Sequence, residues 1–151
     1  MSYFERGCEA TLIRLSKRTD YGFMAIRHLC SSPPGEYRSA REIAAAYSIP
    51  PALMAKLLQR LARRGLVASH HGIKGGYQIA RPASEITLWE IVEALEGPVR
   101  PQECAHASVE ECRGAGSCDG RRPVLAVQKK IVEVLGRTTL HDLVKQEGVG
   151  E

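Results

Sequence analysis

Three cysteines, Cys104, Cys112 and Cys118, fall within a span of fifteen residues in the second half of the chain. Seven and five residues separate them, and several glycines lie in the same stretch. Thiolates are soft ligands, and three of them on one loop are typical of iron–sulfur clusters or zinc. Glycines let such a loop curl around a ligand because they tolerate backbone conformations closed to other residues. The cysteines therefore predict a metal or cluster site that lacks a fourth thiolate.

The fourth ligand is left open by the residues alone. His106, Glu103 and Asp119 are nearest in sequence, whereas Asp20 would be supplied in space from the first predicted helix, from the same or a partner subunit. Asp20 is also explained by the helix dipole, which favours an acidic residue in a first turn. A structural zinc site, or loop thiols that react with oxidants and hold no ligand, are the alternatives for the cysteines.

Charge is distributed unevenly along the 151 residues, whose overall net charge is +4. Residues 12–81 hold twelve basic and three acidic side chains, a net charge of +9, while residues 82–151 carry −4. A basic block of this size predicts a nucleic-acid surface at one end of the molecule. No apolar run approaches the roughly 20 residues of a membrane span, and the N-terminus does not resemble a signal peptide. We expect a cytoplasmic protein with reduced cysteines.

The basic block has the pattern of a helix-turn-helix. Ser16 is predicted to cap a first helix that runs to Cys30. Ser39 and Glu42 then form a capping box that starts a short helix, and a three-residue turn follows. Pro50 and Pro51 fit only the first turn of the next helix, which is predicted to run to residue 64 with a basic outer face. Short helix, tight turn and second helix together are the arrangement that places a recognition helix in the major groove of DNA.

Two short alternating runs, 66–69 and 77–79, flank a glycine-rich loop and predict a β-hairpin wing. The expected fold class is therefore mainly α with a small β-hairpin wing, a winged helix-turn-helix. A winged helix that binds protein instead of DNA is the alternative. The predicted DNA contacts come from the second helix, its partner helix and the wing: Ser39, Lys56, Gln59, Arg60, Arg63, His71, Lys74, Gly75, Gly76 and Tyr77.

The second half contains two further helices. A capping box at Thr87 and Glu90 predicts a helix through Glu96. An apolar stripe predicts another helix from Pro123 to Leu135, and its members are Val124, Val127, Ile131 and Val134, widened by Leu125, Val132 and Leu135. That stripe is too apolar to remain exposed to solvent, so it packs either in the core or, as we expect, against a second subunit in a two-fold dimer. The predicted organisation is an arm (1–11), a DNA-binding domain (12–82), a connecting helix with the cysteine loop (83–122), and a dimerisation helix followed by a C-terminal helix (123–147). No nucleophile–base pair or phosphate-binding loop of an enzyme is found.

An ordered set of motifs resembles the IscR/NsrR/CymR-type family of bacterial transcription regulators. The matching segments are IRLSKRTDYG (13–22), EIA (42–44), IP (49–50), the run 57–67, GIKGGY (72–77) and the cysteine loop. The resemblance implies a homodimeric winged-helix protein that binds double-stranded operator DNA and whose long helix crosses to the partner. It also implies an iron–sulfur cluster, [2Fe–2S] or [4Fe–4S], held by Cys104, Cys112 and Cys118.

Several positions of this sequence refine that resemblance. Arg121 stands where IscR-like members place a histidine ligand, whereas Asp20 matches the aspartate that NsrR-like members use, which favours a cluster held by one aspartate and three cysteines. The first gap between cysteines is longer than the usual five residues. His71 replaces the wing arginine of IscR-like members, and Ala55 replaces their recognition-helix glutamate, so their operator is not expected here.

The sequence thus predicts a cluster-dependent transcription regulator, expected to be a repressor, that senses iron–sulfur status, redox stress or nitric oxide. In this hypothesis, gain or loss of the cluster shifts the dimer between two arrangements of its recognition helices. The alternative function is a zinc-stabilised or ligand-free winged helix that acts as a thiol sensor or as a protein-interaction adaptor.

Overall fold

The computed structural model of the protein describes residues 16–97 and 121–146. Its elements are α1 (Lys17–Cys30), α2 (Ala40–Ala46), α3 (Pro51–Arg63), β1 (Val67–His70), β2 (Gly76–Ile79), a 3₁₀ turn (Ala83–Glu85), α4 (Leu88–Glu96), α5 (Arg121–Arg137) and α6 (Leu140–Gln146). The two strands form one antiparallel hairpin. The predicted fold class, mainly α with a small wing, is confirmed. Within the described ranges, no helix is long and apolar enough to cross a membrane.

The helix-turn-helix forms from local signals. The Ser39 hydroxyl accepts a hydrogen bond from the backbone N–H of Glu42 at 3.2 Å, and the Glu42 carboxylate accepts one from the backbone N–H of Ser39 at 2.6 Å. This capping box satisfies two orphan donors at the start of α2. The turn into α3 contains Ser48 in the left-handed region, with φ of 54°. Pro51 then occupies the first turn of α3, where a missing N–H has no cost.

The core of the winged-helix half is built on the apolar side of α3. Met54, Leu57, Leu58 and Leu61 are buried there. They pack with buried side chains of the other elements, among them Ile26, Leu29, Ile43, Leu66, Val67, Ile91 and Leu95. Burial of each large apolar side chain contributes about 1.5–3 kcal/mol, so this shared core fixes which face of α3 remains outside.

The wing is attached to the start of α2 by a short backbone ladder. Arg38 and Tyr77 exchange two backbone hydrogen bonds of 2.9 and 2.8 Å, which form an isolated antiparallel β-bridge between the residues before α2 and the hairpin. Gly76 lies next to this contact with φ of 155°, and a Cβ there would come within 2.5 Å of the Arg38 carbonyl oxygen. Only glycine fits, so Gly76 is required for the wing to dock on its own chain.

A second close approach joins α1 to α4. A Cβ on Gly22 would lie 2.2 Å from the Leu95 Cδ1 atom, and Leu95 is fully buried. At the end of α4, the Glu96 carboxylate accepts a hydrogen bond from the backbone N–H of Ser16 at 3.2 Å and further hydrogen bonds from the hydroxyls of Ser16 and Thr19. The last turn of α4 therefore sits on the N-terminus of α1.

This contact changes the role predicted for Ser16. Ser16 occupies the N-cap position of α1, but its side chain makes no capping hydrogen bond within the helix. Its hydroxyl donates to Glu96 instead, and the carboxylate of Glu96 also accepts from the backbone N–H of Ser16 at the start of the helix. An ionised carboxylate is a stronger acceptor than a hydroxyl and is favoured by the positive end of the helix dipole.

The C-terminal helices differ slightly from the prediction. The helix expected from residue 123 to 135 runs from Arg121 to Arg137, because Pro123 is tolerated in a first turn and the arginines are good helix formers. A capping box that the sequence reasoning missed starts α6, where Thr139 and Asp142 bond each other's backbone N–H groups at 2.9 and 3.3 Å. Backbone bonds from Leu88 to Thr138 and from Leu140 to Ile86 attach α6 to the start of α4.

The junction at Glu96 predicts an acid-sensitive part of the stability. Burial raises the pKa of Glu96, but hydrogen bonds from Ser16 and Thr19 and the nearby charge of Arg18 outweigh it, so the net pKa lies below its usual 4.5. A lowered folded pKa stabilises the protein above the unfolded value, and this contribution disappears as the pH falls through the folded pKa. We expect Glu96→Gln to lower the free energy of unfolding at pH 7 by on the order of 1 kcal/mol.

Urea unfolding of the wild type and of Glu96→Gln at pH 7 and at pH 3.5 measures this contribution. The difference between the two proteins should shrink at the lower pH. Glu85→Gln changes an exposed carboxylate outside the junction and is the control. If Glu96→Gln lowers the free energy of unfolding by the same amount at both pH values, the charge of Glu96 does not stabilise the junction.

Candidate DNA-binding surface and sensor segment

The outer face of α3 carries the side chains best placed for DNA. A helix turns by about 100° per residue, so Lys56, Gln59 and Arg63 point away from the buried Met54 and Leu58. All three are exposed, and they occupy successive turns of the recognition helix. Long side chains in such a row can reach both base edges and phosphates of a major groove. Their placement agrees with the prediction of a basic outer face.

Arg60 has a structural partner that the sequence did not reveal. It lies on the flank of α3, and its Nη1 atom donates a hydrogen bond of 2.8 Å to the carbonyl oxygen of Leu95. Leu95 lies in the last turn of α4, where the carbonyl oxygens accept no hydrogen bond from their own helix. Arg60 thus ties the recognition helix to the end of α4, so a loss of affinity on replacing Arg60 would not by itself identify a DNA contact.

The predicted wing residues divide into two groups. His71 and Lys74 are exposed in the loop, beside the fully exposed Ile73, and are free to meet a partner. Gly75 is instead packed within the wing, since a Cβ there would lie 2.3 Å from the carbonyl oxygen of His70. Gly76 and Tyr77 hold the wing on the residues before α2, as described above. These glycines therefore serve the close approach of the protein to itself.

A contact between the wing and the segment before α2 adds to this docking. The rings of His70 and Tyr37 lie 4.9 Å apart, and the Gln78 amide donates a hydrogen bond of 3.2 Å to the Tyr37 hydroxyl. Ser39 lies next to this contact, at the N-terminus of α2. Its hydroxyl accepts the capping bond but keeps its own proton, which leaves it able to donate to a phosphate. The wing and the start of α2 thus form one continuous surface.

The predicted cluster ligands are only partly within the described residues. Cys104, Cys112 and Cys118 lie outside them, and within the described ranges no group of three or more His, Cys, Asp or Glu side chains is arranged to hold a metal ion. Asp20 is described: it is exposed in the first turn of α1 and lines an apolar groove of about 670 Å³ between α1, α4, α5 and α6. Cys30 is half-buried, and burial raises the pKa of its thiol, which makes it a poor nucleophile.

The apolar stripe of α5 is largely uncovered in the single chain. Val127 is 56% exposed and Val134 is 63% exposed, while Ile131 and Leu135 are half-buried. Val124 and Leu125, which belong to the same predicted stripe, have side chains outside the described part. Several large apolar side chains along one helix face indicate a surface that another element covers.

Comparisons with known proteins agree with this architecture. Residues 15–146 match the family described as Rrf2, iron-dependent transcriptional regulator. The protein Aau3 of Rhizobium meliloti (strain 1021) is 35% identical over 133 residues, which cover 88% of this chain and 86% of that protein.

Two solved structures share the fold over nearly the whole chain. CymR, the global cysteine regulator of B. subtilis, is 27% identical with a TM-score of 0.71, covering 89% of this chain and 98% of its own. T. potens IscR is 27% identical with a TM-score of 0.70, and the match covers 95% of this chain and 96% of that one. The match to the family spans both the winged helix and the helices that follow it, so the chain belongs to the Rrf2 family of transcription regulators and is not an enzyme.

Proposed function

We propose that this regulator is a homodimeric repressor whose DNA binding depends on an iron–sulfur cluster held by Cys104, Cys112, Cys118 and Asp20. The observation that carries the proposal is the position of Asp20. Its exposed carboxylate lies in the first turn of α1, the same helix end that receives Glu96, the residue just before the cysteine segment departs at Gly97. The family's description as iron-dependent supports iron as the metal.

The reach of the chain is compatible with this ligand set. Gly97 adopts φ of 85°, which turns the backbone at the end of α4. Seven residues lead from Gly97 to Cys104, and a fully extended chain of that length spans roughly 25 Å. Because Glu96 contacts Ser16 and Thr19 of the same chain, this length lets Cys104 approach Asp20 of its own subunit. Three thiolates and one carboxylate are a donor set suited to an iron–sulfur cluster, which supplies a centre sensitive to iron supply, oxidants and nitric oxide.

The residues around the cysteine segment offer a route from the cluster to DNA. Leu95 and Glu96 precede the segment directly, and they contact the recognition helix through Arg60 and the N-terminus of α1 through Ser16 and Thr19. A cluster that draws the segment toward Asp20 would stabilise one placement of α4 against α1 and α3. Loss of the cluster would release it and shift the population toward another placement.

Similarity to CymR favours a second candidate function. CymR is a cysteine regulator, and this chain shares its fold at 27% identity. In this alternative the three cysteines react as thiols and hold no iron, or they hold zinc. Metal content separates the two candidates.

For the cluster, protein purified without oxygen should be coloured and contain iron and acid-labile sulfide. Asp20→Ala should change the visible spectrum or speed cluster loss in air, because an exposed carboxylate ligand is removed while the core is untouched. Cys30→Ser is the matched control and should keep the spectrum. Colourless protein with zinc or no metal would contradict the cluster, and a spectrum unaffected by Asp20→Ala would assign the fourth ligand elsewhere.

For DNA binding, Lys56→Ala and Arg63→Ala should each weaken binding across many sequences. Each lost phosphate contact lowers the magnitude of the slope of log K against log salt by about 0.9. Fluorescence anisotropy at several salt concentrations, on a duplex selected by the protein from a random pool, measures the slope. Lys145→Ala removes an exposed charge of α6 and should leave it unchanged. Slopes equal to that of the wild type in both α3 variants would place the phosphate contacts on another surface.

For the homodimer, the double variant Val127→Glu, Val134→Glu should be monomeric, because two charges would be buried in an apolar interface. Sedimentation velocity at micromolar concentration gives the mass of the particle. Ile73→Glu makes the same change at the exposed wing and should remain a dimer. A dimeric double variant would mean that α5 does not form the interface.

A further inference from the structure

Positive charge is concentrated in a groove between α1 and α3, and only some of the residues that line this groove are among the predicted DNA contacts. It has a volume of about 380 Å³ and is lined by Arg18, Lys56, Arg60 and Arg63, with Leu53, Leu57 and Gln59. Arg18 comes from the first turn of α1, and the other cations come from α3. We propose that this groove binds a phosphate of the DNA backbone and that Arg18 is one of its ligands, an inference that rests on the proposed DNA-binding function.

The charges lining the groove favour an anion. Four cationic side chains share one groove, and no acidic side chain is among the residues that line it. Like charges held together repel one another, and a bound anion relieves that repulsion. Leu53 and Leu57 supply apolar surface beneath them, which weakens solvent screening and strengthens the attraction between guanidinium groups and a phosphate.

One of the arginines, Arg60, is held in place by the protein. Arg60 uses one N–H for the Leu95 carbonyl, which fixes its guanidinium and leaves other donors for the groove. Arg18 lies close enough to Glu96 for its charge to help lower the pKa of that carboxylate. An arginine that is already oriented loses less entropy when it grips a phosphate, and its planar fork can make two hydrogen bonds at once.

The position of the groove indicates a phosphate that belongs to DNA. Lys56, Gln59 and Arg63 line it and also form the outer face of α3, so the groove is continuous with the predicted recognition surface. A strand whose bases meet α3 would carry its backbone across this flank toward α1.

The test compares Arg18→Ala with Lys17→Ala on the duplex selected from a random pool. Lys17 is the neighbouring exposed cation of α1 and is not among the residues that line the groove. Arg18→Ala should lower the magnitude of the salt slope by about 0.9, and Lys17→Ala should lower it by much less. Arg18→Lys keeps the charge and should restore most of the slope. If Arg18→Ala unfolds, the slope of Arg18→Gln is measured in its place.

A second measurement locates the phosphate. Single phosphates of the duplex are replaced in turn by neutral methylphosphonates, and one replacement should weaken binding of the wild type clearly more than it weakens binding of Arg18→Ala. A wild-type slope in Arg18→Ala, or the absence of any such position, overturns the proposal. Saturable binding of inorganic phosphate in the absence of DNA, lost in Arg18→Ala while the slope is unchanged, would instead assign the groove to a small phosphate ligand and also overturn it.

The outcomes separate this inference from the proposed function. Reduced slopes in Lys56→Ala and Arg63→Ala, together with a wild-type slope in Arg18→Ala, would leave DNA binding by α3 intact and remove only the contact from α1. If the wild-type protein has no salt-dependent affinity for any duplex, both the proposed DNA binding and the contact from α1 are contradicted.

Discussion

The carboxylate of Glu96, set against the N-terminus of α1, joins the part of the chain that would bind DNA to the part that would sense a signal. It accepts hydrogen bonds from Ser16 and Thr19, and the residue before it accepts one from Arg60. Three helices therefore meet within two residues of the start of the cysteine segment. Because interfaces packed around such hydrogen bonds tend to have discrete arrangements, a change at the segment can be passed on as a shift of α3.

The close packing beside this junction strengthens that connection. Gly22 lets Leu95 fill the space where a Cβ would stand, so α1 and α4 approach closely over a fully buried side chain. A larger residue at position 22 would separate the two helices and move the Leu95 carbonyl away from Arg60. The wing uses the same device at a second place, where Gly76 allows its backbone to lie against Arg38. Glycine thus serves both inter-element contacts on which the recognition surface depends.

Much of the fold follows from local patterns and was predicted from them. The capping boxes at Ser39 and Thr87 start α2 and α4 where expected, because a capping box is complete within four residues and needs no partner from elsewhere. The wing strands follow from alternation and glycines in the same way. The predicted helix 123–135 is two residues shorter at each end than α5, since a helix continues beyond the residues whose apolar spacing indicates it.

The sequence by itself determined the winged-helix class, the basic outer face of α3 and the identity of the cysteines as candidate ligands, because each depends on residue types at short spacing. Only the tertiary structure decided that Ser16 donates to Glu96, 80 residues away, and that Arg60 bonds Leu95, 35 residues away. It also decided that Gly75 and Gly76 pack against the protein itself, and that Arg18 joins the cations of α3 in one groove. These contacts depend on how helices distant in sequence pack around a shared core, and that packing leaves no periodic signal along the chain.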